Sequence, residues 1–346
     1  MSAGADGPAL ARKAKVIAHR GASALRPEHT LAAYAQAIAD GADSIEPDLV
    51  LTRDGVLVAR HENEISSTTD VAAHGEFAAR QTRKIIDGET LEGWFVEDFT
   101  LAELKTLRAR ERLPQLRSTA YDGRFEIPSL QEIIELLDLQ SGGERVVGMV
   151  PELKHSSYFA GLGLPMEDRL LDMLARHAYT RHAPVEIQSF EIGNLRYLRE
   201  RLGPNHANVC LLLLLGEPHA QPWDETAAGR ATDYAQMTTP PGLREIARYA
   251  DAIGPWHRHV VPLMADETLG SPTALVADAH AAGLQVHAWT FRPENQFLPR
   301  SLWSGEDPAT TNTAGAITEI RACLDAGIDA FFTDSPAIGR QAVDLR

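Results

Sequence analysis

Along this chain, apolar and polar positions fall into blocks that repeatedly switch period. Short apolar runs such as Val16-Ile17-Ala18 alternate with stretches whose apolar residues stand three and four apart. The first pattern reads as strand and the second as helix. Strands are predicted over residues 15–18, 43–50, 56–60, 146–153, 185–190, 208–215, 252–254, 285–291 and 330–333. Helices are predicted over 29–40, 129–139, 166–178, 192–201, 243–249, 271–282 and 313–326, with 335–343 closing the chain. Punctuation supports the boundaries: Gly41 stands at a C-cap position, Ser129 and Glu132 have capping-box spacing, and Asp54-Gly55 marks a tight turn. That turn joins 43–50 to 56–60 as a hairpin. The leucines 211–215 lack polar alternation, as expected of a strand covered on both faces.

About eight strand-then-helix units result, without an internal sequence repeat. Repeated right-handed crossovers build either an open doubly wound sheet or a closed barrel. A G-x-G-x-x-G turn after the first strand is absent, which removes the dinucleotide-binding form of the open sheet. The expected fold is therefore α/β, a TIM (β/α)8 barrel occupying residues 1–346 as one domain. Residues 62–125 break the rhythm: they are polar, with one clear helix over 100–108 in which Thr100 and Glu103 have capping-box spacing. This stretch is read as a lid-like insertion within the domain. A polar loop over 216–239 and a Pro-rich loop over 292–312 are also predicted.

The chain has 346 residues, 44% hydrophobic and 23% charged, as in an ordinary globular protein. Its net charge of −15 argues against general binding to nucleic acid or anionic membrane surfaces, which needs a positive face. An anionic small molecule is still allowed, because local cations decide that. No stretch is apolar enough to span a membrane, and the opening MSAGADGPALARKAKV has no apolar signal-peptide core. As written, that implies a cytoplasmic location, or a periplasmic or secreted one if a leader has been removed. Cys210 and Cys323 fit no metal or redox spacing and are expected to be two separate buried thiols, with a single disulfide left open.

In such barrels the chemistry lies at the C-terminal ends of the strands. The polar residues predicted there are His19, Arg20, Glu46, Asp48, His61, Glu152 and Lys154, then Gln188, Trp289 and Asp334. Glu46 and Asp48 face the same side of a strand. Inward-pointing like charges need something positive beside them. With Glu152 they make three oxygen donors suited to a hard divalent cation, Ca²⁺ or Mg²⁺; the alternative is a pair of solvated surface acids. His19 and His61 can take and give a proton near neutral pH, or can be structural. Arg20 and Lys154 supply fixed charge for phosphate oxygens, although Arg20 could instead pair with a core acid. Together they suggest phosphate-ester chemistry.

The same residues resemble the glycerophosphodiester phosphodiesterase family. The resemblance rests on His19-Arg20-Gly21, Pro27-Glu28-His29-Thr30, Gly41-Ala42-Asp43, Glu46-Pro47-Asp48, Thr52-Arg53-Asp54-Gly55 and His61 in that order. Pro151-Glu152-Leu153-Lys154, Gln188-Ser189-Phe190, Trp289-Thr290-Phe291 and Phe332-Thr333-Asp334 continue it. Pro-Glu-His-Thr and residues 249–255 look like the calcium-binding bacterial periplasmic branch, which carries an insertion matching 62–125. The resemblance implies a TIM barrel that hydrolyses glycerophosphodiesters to sn-glycerol 3-phosphate and an alcohol through a cyclic phosphate. It implies His19 and His61 as general base and acid, Glu46, Asp48 and Glu152 as metal ligands, and Arg20, Lys154, Gln188 and Trp289 as substrate contacts. Two other readings are a lyase-like phospholipase D acting on lysolipids and a non-catalytic phosphodiester-binding protein. The chain departs from the family pattern at Glu62, where Asp is usual, and Trp256-His257-Arg258-His259 matches no motif.

Overall fold

The computed structural model describes residues 13–142, 145–203 and 207–345. Strand β1 (Lys15–His19) is followed by β2 (Ser44–Glu46), β3 (Asp48–Leu51) and β4 (Leu57–Ala59). A separate antiparallel hairpin, β5 (Thr82–Ile86) and β6 (Glu89–Gly93), lies in the inserted stretch. Then come β7 (Gly148–Met149), β8 (Glu152–Leu153), β9 (Val185–Ser189) and β10 (Val209–Leu215), and after them β11 (Ala252–Pro255), β12 (Gln285–Phe291) and β13 (Ala330–Thr333). Taken as single strands, β2 with β3 and β7 with β8 give eight parallel strands. They close into a barrel where β13 pairs with β1, Val16 standing opposite Phe331. The expected TIM barrel is the fold observed.

Two predicted strands, 43–50 and 146–153, are each divided at a proline, Pro47 and Pro151. A proline has no N–H to give a ladder. Register is nevertheless kept across both breaks: Val150 N–H donates to Ile45 O (2.8 Å), Glu152 N–H to Pro47 O (3.0 Å) and Lys154 N–H to Leu49 O (3.1 Å). β3 runs past the mouth and pairs with antiparallel β4, Val50 opposite Val58, which is the hairpin the Asp-Gly turn predicts. His61 lies two residues beyond β4 rather than at a strand end.

Leucines 211, 213 and 215 pack outward beneath the helices, while Leu212 and Leu214 join Ile17, Val150, Ala252, Ala330 and Phe332 inside the barrel. Both faces of β10 are thus covered, as its composition requires. The capping boxes at Ser129/Glu132 and Thr100/Glu103 form as predicted. The second helix, Leu101–Leu104, is much shorter than 100–108, and Arg108 N–H bonds to the Asp70 carboxylate instead (2.7 Å). Helix Ser156–Gly161 was not predicted, and the loop 216–239 contains Trp223–Ala227 and Tyr234–Met237. Cys323 is buried but Cys210 is exposed, which corrects the expectation of two buried thiols; both are free. No helix among the described residues is long and apolar enough to cross a membrane.

The N-terminal end of the barrel repeats one device. Asp43, Asp251 and Asp329 each immediately or closely precede a strand, and each donates its own N–H to a carbonyl of the preceding barrel strand: Val16, Leu211 and Val286 respectively. Each carboxylate then accepts the N–H of that same residue, at 2.8 Å in all three cases. Arg340, Arg199 and His280 supply a second donor to the respective carboxylates.

Candidate active site

At the opposite end, a cleft of about 440 Å³ opens at the C-terminal ends of the strands. Parallel register sets its wall. His19, the last residue of β1, stands opposite Glu46; Asp48 stands opposite Glu152, and Glu152 opposite Gln188. His61, Arg20 and Lys154 line the cleft with them, and Phe190, Leu214, Trp289 and Phe332 give it an apolar side. Asp48 is 1% exposed and sits behind this wall.

Glu46, Asp48 and Glu152 each place one carboxylate oxygen within 4.8 Å of the others. Burial and the Asp48 charge push Glu46 well above the ordinary carboxylate range. Burial, with the Asp48 charge added, lifts Glu152 to about 8 even though Lys154 lies beside it at 2.9 Å. Burial also opposes ionisation of Asp48, but Lys154, His61 and His29 hold it well below its ordinary value. The buried Asp48 Oδ1 has no hydrogen-bond partner. Three oxygen donors, too crowded to ionise together and leaving one lone pair unused, fit a hard divalent cation.

The first turn is shaped to bring Arg20 inward. Arg20 and His29 are both left-handed (φ 59° and 54°), and His29 N–H bonds to Arg20 O at 3.0 Å. Gly21, at φ 89°, passes so close to the helix Leu31–Ala39 that a Cβ would lie 2.7 Å from Ala33. A side chain there would force the turn open. Arg20 N–H donates to Glu46 (2.7 Å), and its guanidinium pairs with Glu28 (3.0 Å) and Asp48 (3.4 Å). Arg20 thus has core acid partners and lines the cleft as well.

Each cleft histidine is backed by a carboxylate. His19 Nδ1 lies 2.6 Å from Asp334 Oδ1, and His61 Nδ1 bonds to Glu62. Burial, reinforced by Arg20, lowers His19 to about 4, and burial with Arg20 and Lys154 lowers His61 to about 3. Both rings are therefore neutral at pH 7. The hydrogen bonds assign the proton to Nδ1, leaving Nε2 as the free acceptor. Glu62 occupies the position where the family usually has Asp, and its longer side chain still reaches His61.

The structure gathers every predicted site residue around this cleft. It adds several that the sequence did not single out. His29, fully buried, donates from Nε2 to Asp48 (2.9 Å) and pairs through Nδ1 with Tyr34 (2.8 Å). Thr290 and Arg292 also line the cleft. Arg112 and Arg117, from the insertion, reach Glu62 and Asp334. Their pattern gave no signal, because they lie in a stretch with no regular period. Gln188 donates to Glu46 (3.1 Å) and Val150 O (3.3 Å), and Trp289 Nε1–H is committed to Gly254 O (2.7 Å). The motif-free Trp256–His259 stretch is not simply surface: His257 and Arg258 are buried, and Arg258 pairs with Glu319.

Against known proteins, the model of the Glycerophosphoryl diester phosphodiesterase family matches residues 19–338. A glycerophosphodiester phosphodiesterase of Arabidopsis thaliana is 36% identical over 92% of this chain and 82% of its own length. One of Haemophilus influenzae is 28% identical over 81% and 79%. Among solved structures, a Silicibacter pomeroyi protein described as a candidate glycerophosphoryl diester phosphodiesterase superposes with a TM-score of 0.66 at 23% identity, covering 98% of this chain and 95% of that one. An Oleispira antarctica phosphodiesterase, solved in complex with the product sn-glycerol-3-phosphate, gives 0.58 at 21% identity, covering 96% and 97%. The chain belongs to the glycerophosphoryl diester phosphodiesterase family, and it is an enzyme that hydrolyses phosphoric diesters on a TIM barrel.

Proposed function

We propose that this enzyme releases sn-glycerol 3-phosphate and an alcohol by displacement within the substrate, using His19 and His61 as the acid–base pair. The observation that carries this reading is the convergence of both imidazoles, Glu46, Glu152, Arg20 and Lys154 on one cleft, with Asp48 clustered with the two glutamates just behind its wall. The Oleispira relative in complex with sn-glycerol-3-phosphate accords with the product. Glu46, Asp48 and Glu152 would hold the divalent cation, Ca²⁺ by resemblance to the calcium-binding branch and Mg²⁺ as the other candidate. When bound, that ion supplies Lewis-acid stabilisation of charge on phosphoryl oxygens.

Arg20 and Lys154 orient the phosphate and oppose its charge. One histidine removes the proton of the glycerol hydroxyl adjacent to the ester, whose oxygen bonds to phosphorus. The bond from phosphorus to the alcohol oxygen breaks, and the other histidine gives that oxygen its proton. Water then opens the cyclic phosphate with the two roles exchanged, yielding the glycerol phosphate. An anionic diester in the cleft favours the imidazolium form and so offsets the lowering seen in the free enzyme. Gln188 keeps Glu46 in place, and Trp289 offers its ring rather than its N–H to the substrate. Residues 62–125 act as the cover of this cleft.

The test is to incubate glycerophosphocholine, glycerophosphoethanolamine and glycerophosphoglycerol with the enzyme, each with Ca²⁺, Mg²⁺ or a chelator. Free glycerol 3-phosphate that depends on the ion is expected. A cyclic phosphate that accumulates without opening would instead favour the lyase-like reading, and no cleavage of any of the three would sink the proposal.

A further inference from the structure

Behind the two histidines lies a second layer of charge that comes from outside the barrel. Arg117 places Nε 2.6 Å from Glu294 Oε1 and Nη2 2.6 Å from Asp334 Oδ2, and its Nη1 donates to Ser23 O at 3.1 Å. Asp334 Oδ1 is the atom that faces His19. Arg112 grips two carboxylates at once: Glu28 at 2.8 and 2.6 Å, and Glu62 at 3.0 and 2.6 Å. Glu62 faces His61, and Glu28 also accepts from Arg20. The two histidines lie on different segments, and their carboxylates lie at opposite ends of the chain. Yet both carboxylates are gripped by arginines five positions apart on one irregular stretch of the insertion.

Resting on the acid–base reading above, we propose that Arg112 and Arg117 are positioning residues. Each fixes the carboxylate that aims one catalytic histidine, so the inserted segment completes the acid–base pair as well as covering it. The geometry argues for orientation over simple neutralisation. Arg117 is 6% exposed on its side chain, and its planar fork spans Glu294 and Asp334. An arginine so held allows a carboxylate little rotation. Asp334 has another cation, Arg292, at 3.0 Å on the same Oδ2. Charge balance alone would therefore survive the loss of Arg117, but the second anchor against rotation would not. On the other side, the chain Arg20–Glu28–Arg112–Glu62–His61 ties the proposed phosphate-binding arginine to the ring that handles the proton.

The test uses the full chain and the variants R117M, R117K, R112M and R112K, assayed on glycerophosphocholine. R117M and R112M should each lower kcat roughly 10–100-fold, the usual scale for groups that orient a reacting side chain, with KM little changed. The Lys variants should recover part of the loss. If Arg117 acts through Asp334, R117M added to D334N should cost little beyond D334N alone. An activity-independent readout is the ring ¹⁵N signals of His19 and His61. In the parent enzyme they should report a protonated Nδ1 and a bare Nε2; in R117M the His19 pair, and in R112M the His61 pair, should move toward the average of the two tautomers. Unchanged kcat, or a fall in melting temperature with ring signals unmoved, would overturn the proposal and leave the arginines as plain staples. Should R117M fail to fold, R117K and E294Q carry the same comparison. If the parent enzyme cleaves no glycerophosphodiester, the function reading fails while the ring signals still decide the positioning.

Discussion

The two ends of the barrel use carboxylates in opposite ways. At the N-terminal end, Asp43, Asp251 and Asp329 each accept a strand N–H and a second donor from a helix or loop side chain. At the C-terminal end, Glu46, Asp48 and Glu152 crowd one another, and Asp48 Oδ1 is left without a hydrogen bond. Satisfied acids stabilise the fold; crowded, desolvated ones destabilise the metal-free protein and are arranged for chemistry. A barrel can therefore be read end by end, stability below and reaction above.

The largest contrast should come from the histidines at the mouth. H19A and H61A should each lower turnover by roughly 10²–10⁴-fold with melting curves close to the parent's. Near-normal turnover in both would break the division between ends. Next, E46Q removes a carboxylate whose ionisation burial and the Asp48 charge oppose. In chelator its melting temperature should equal or exceed the parent's, while activity should fall at least ~10²-fold, as the loss of several kcal/mol of charge stabilisation implies. Ca²⁺ or Mg²⁺ should raise the parent's melting temperature and not that of E46Q.

At the other end the effects should reverse. D43N, D251N and D329N should each cost about 0.5–1.5 kcal/mol of stability, because part-exposed hydrogen-bonded acids contribute on that scale, and should leave kcat intact. Urea denaturation and steady-state kinetics on the same preparations check both halves.

The smallest effect is one of pH. Burial lowers His61 to about 3 from 6.5 and His19 to about 4. Both are neutral when folded and take a proton on unfolding below pH 6.5, so the unfolded state binds more protons there. Their contribution is fully present above 6.5 and is lost progressively as pH falls toward the folded values. Glu46 and Glu152, raised by burial, act in the opposite direction in parent and variant alike, so the readout is a difference. In chelator, between pH 7 and pH 4.5 the parent should lose stability relative to H61Q, and an equal change in both would remove this part of the contrast.

Much of the barrel was legible because strand and helix periods are local properties. Runs such as Val16-Ile17-Ala18, the leucines of β10 and the capping residues Ser129 and Glu132 determine their elements wherever they fold. Less legible was the insertion. The β5–β6 hairpin and the truncated helix Leu101–Leu104 depend on contacts such as Asp70 with Arg108, which no periodicity announces. Prolines 47 and 151 were visible in the sequence, but that the ladder would keep its register across them was not. His29 lies within the Pro-Glu-His-Thr motif, yet nothing local reveals that its ring would hold Asp48.

The sequence by itself determined the order of the barrel strands and their helices, the α/β class and most of the residues at the cleft, since these follow from residue type and spacing within each segment. Only the tertiary structure decided that Asp48 would keep an oxygen without a hydrogen bond. It alone decided that Cys210 would be exposed and that arginines from the insertion would grip the carboxylates behind both histidines. Those facts depend on which distant segments meet and how fully water is excluded between them, and burial of that kind is a property of the packed chain.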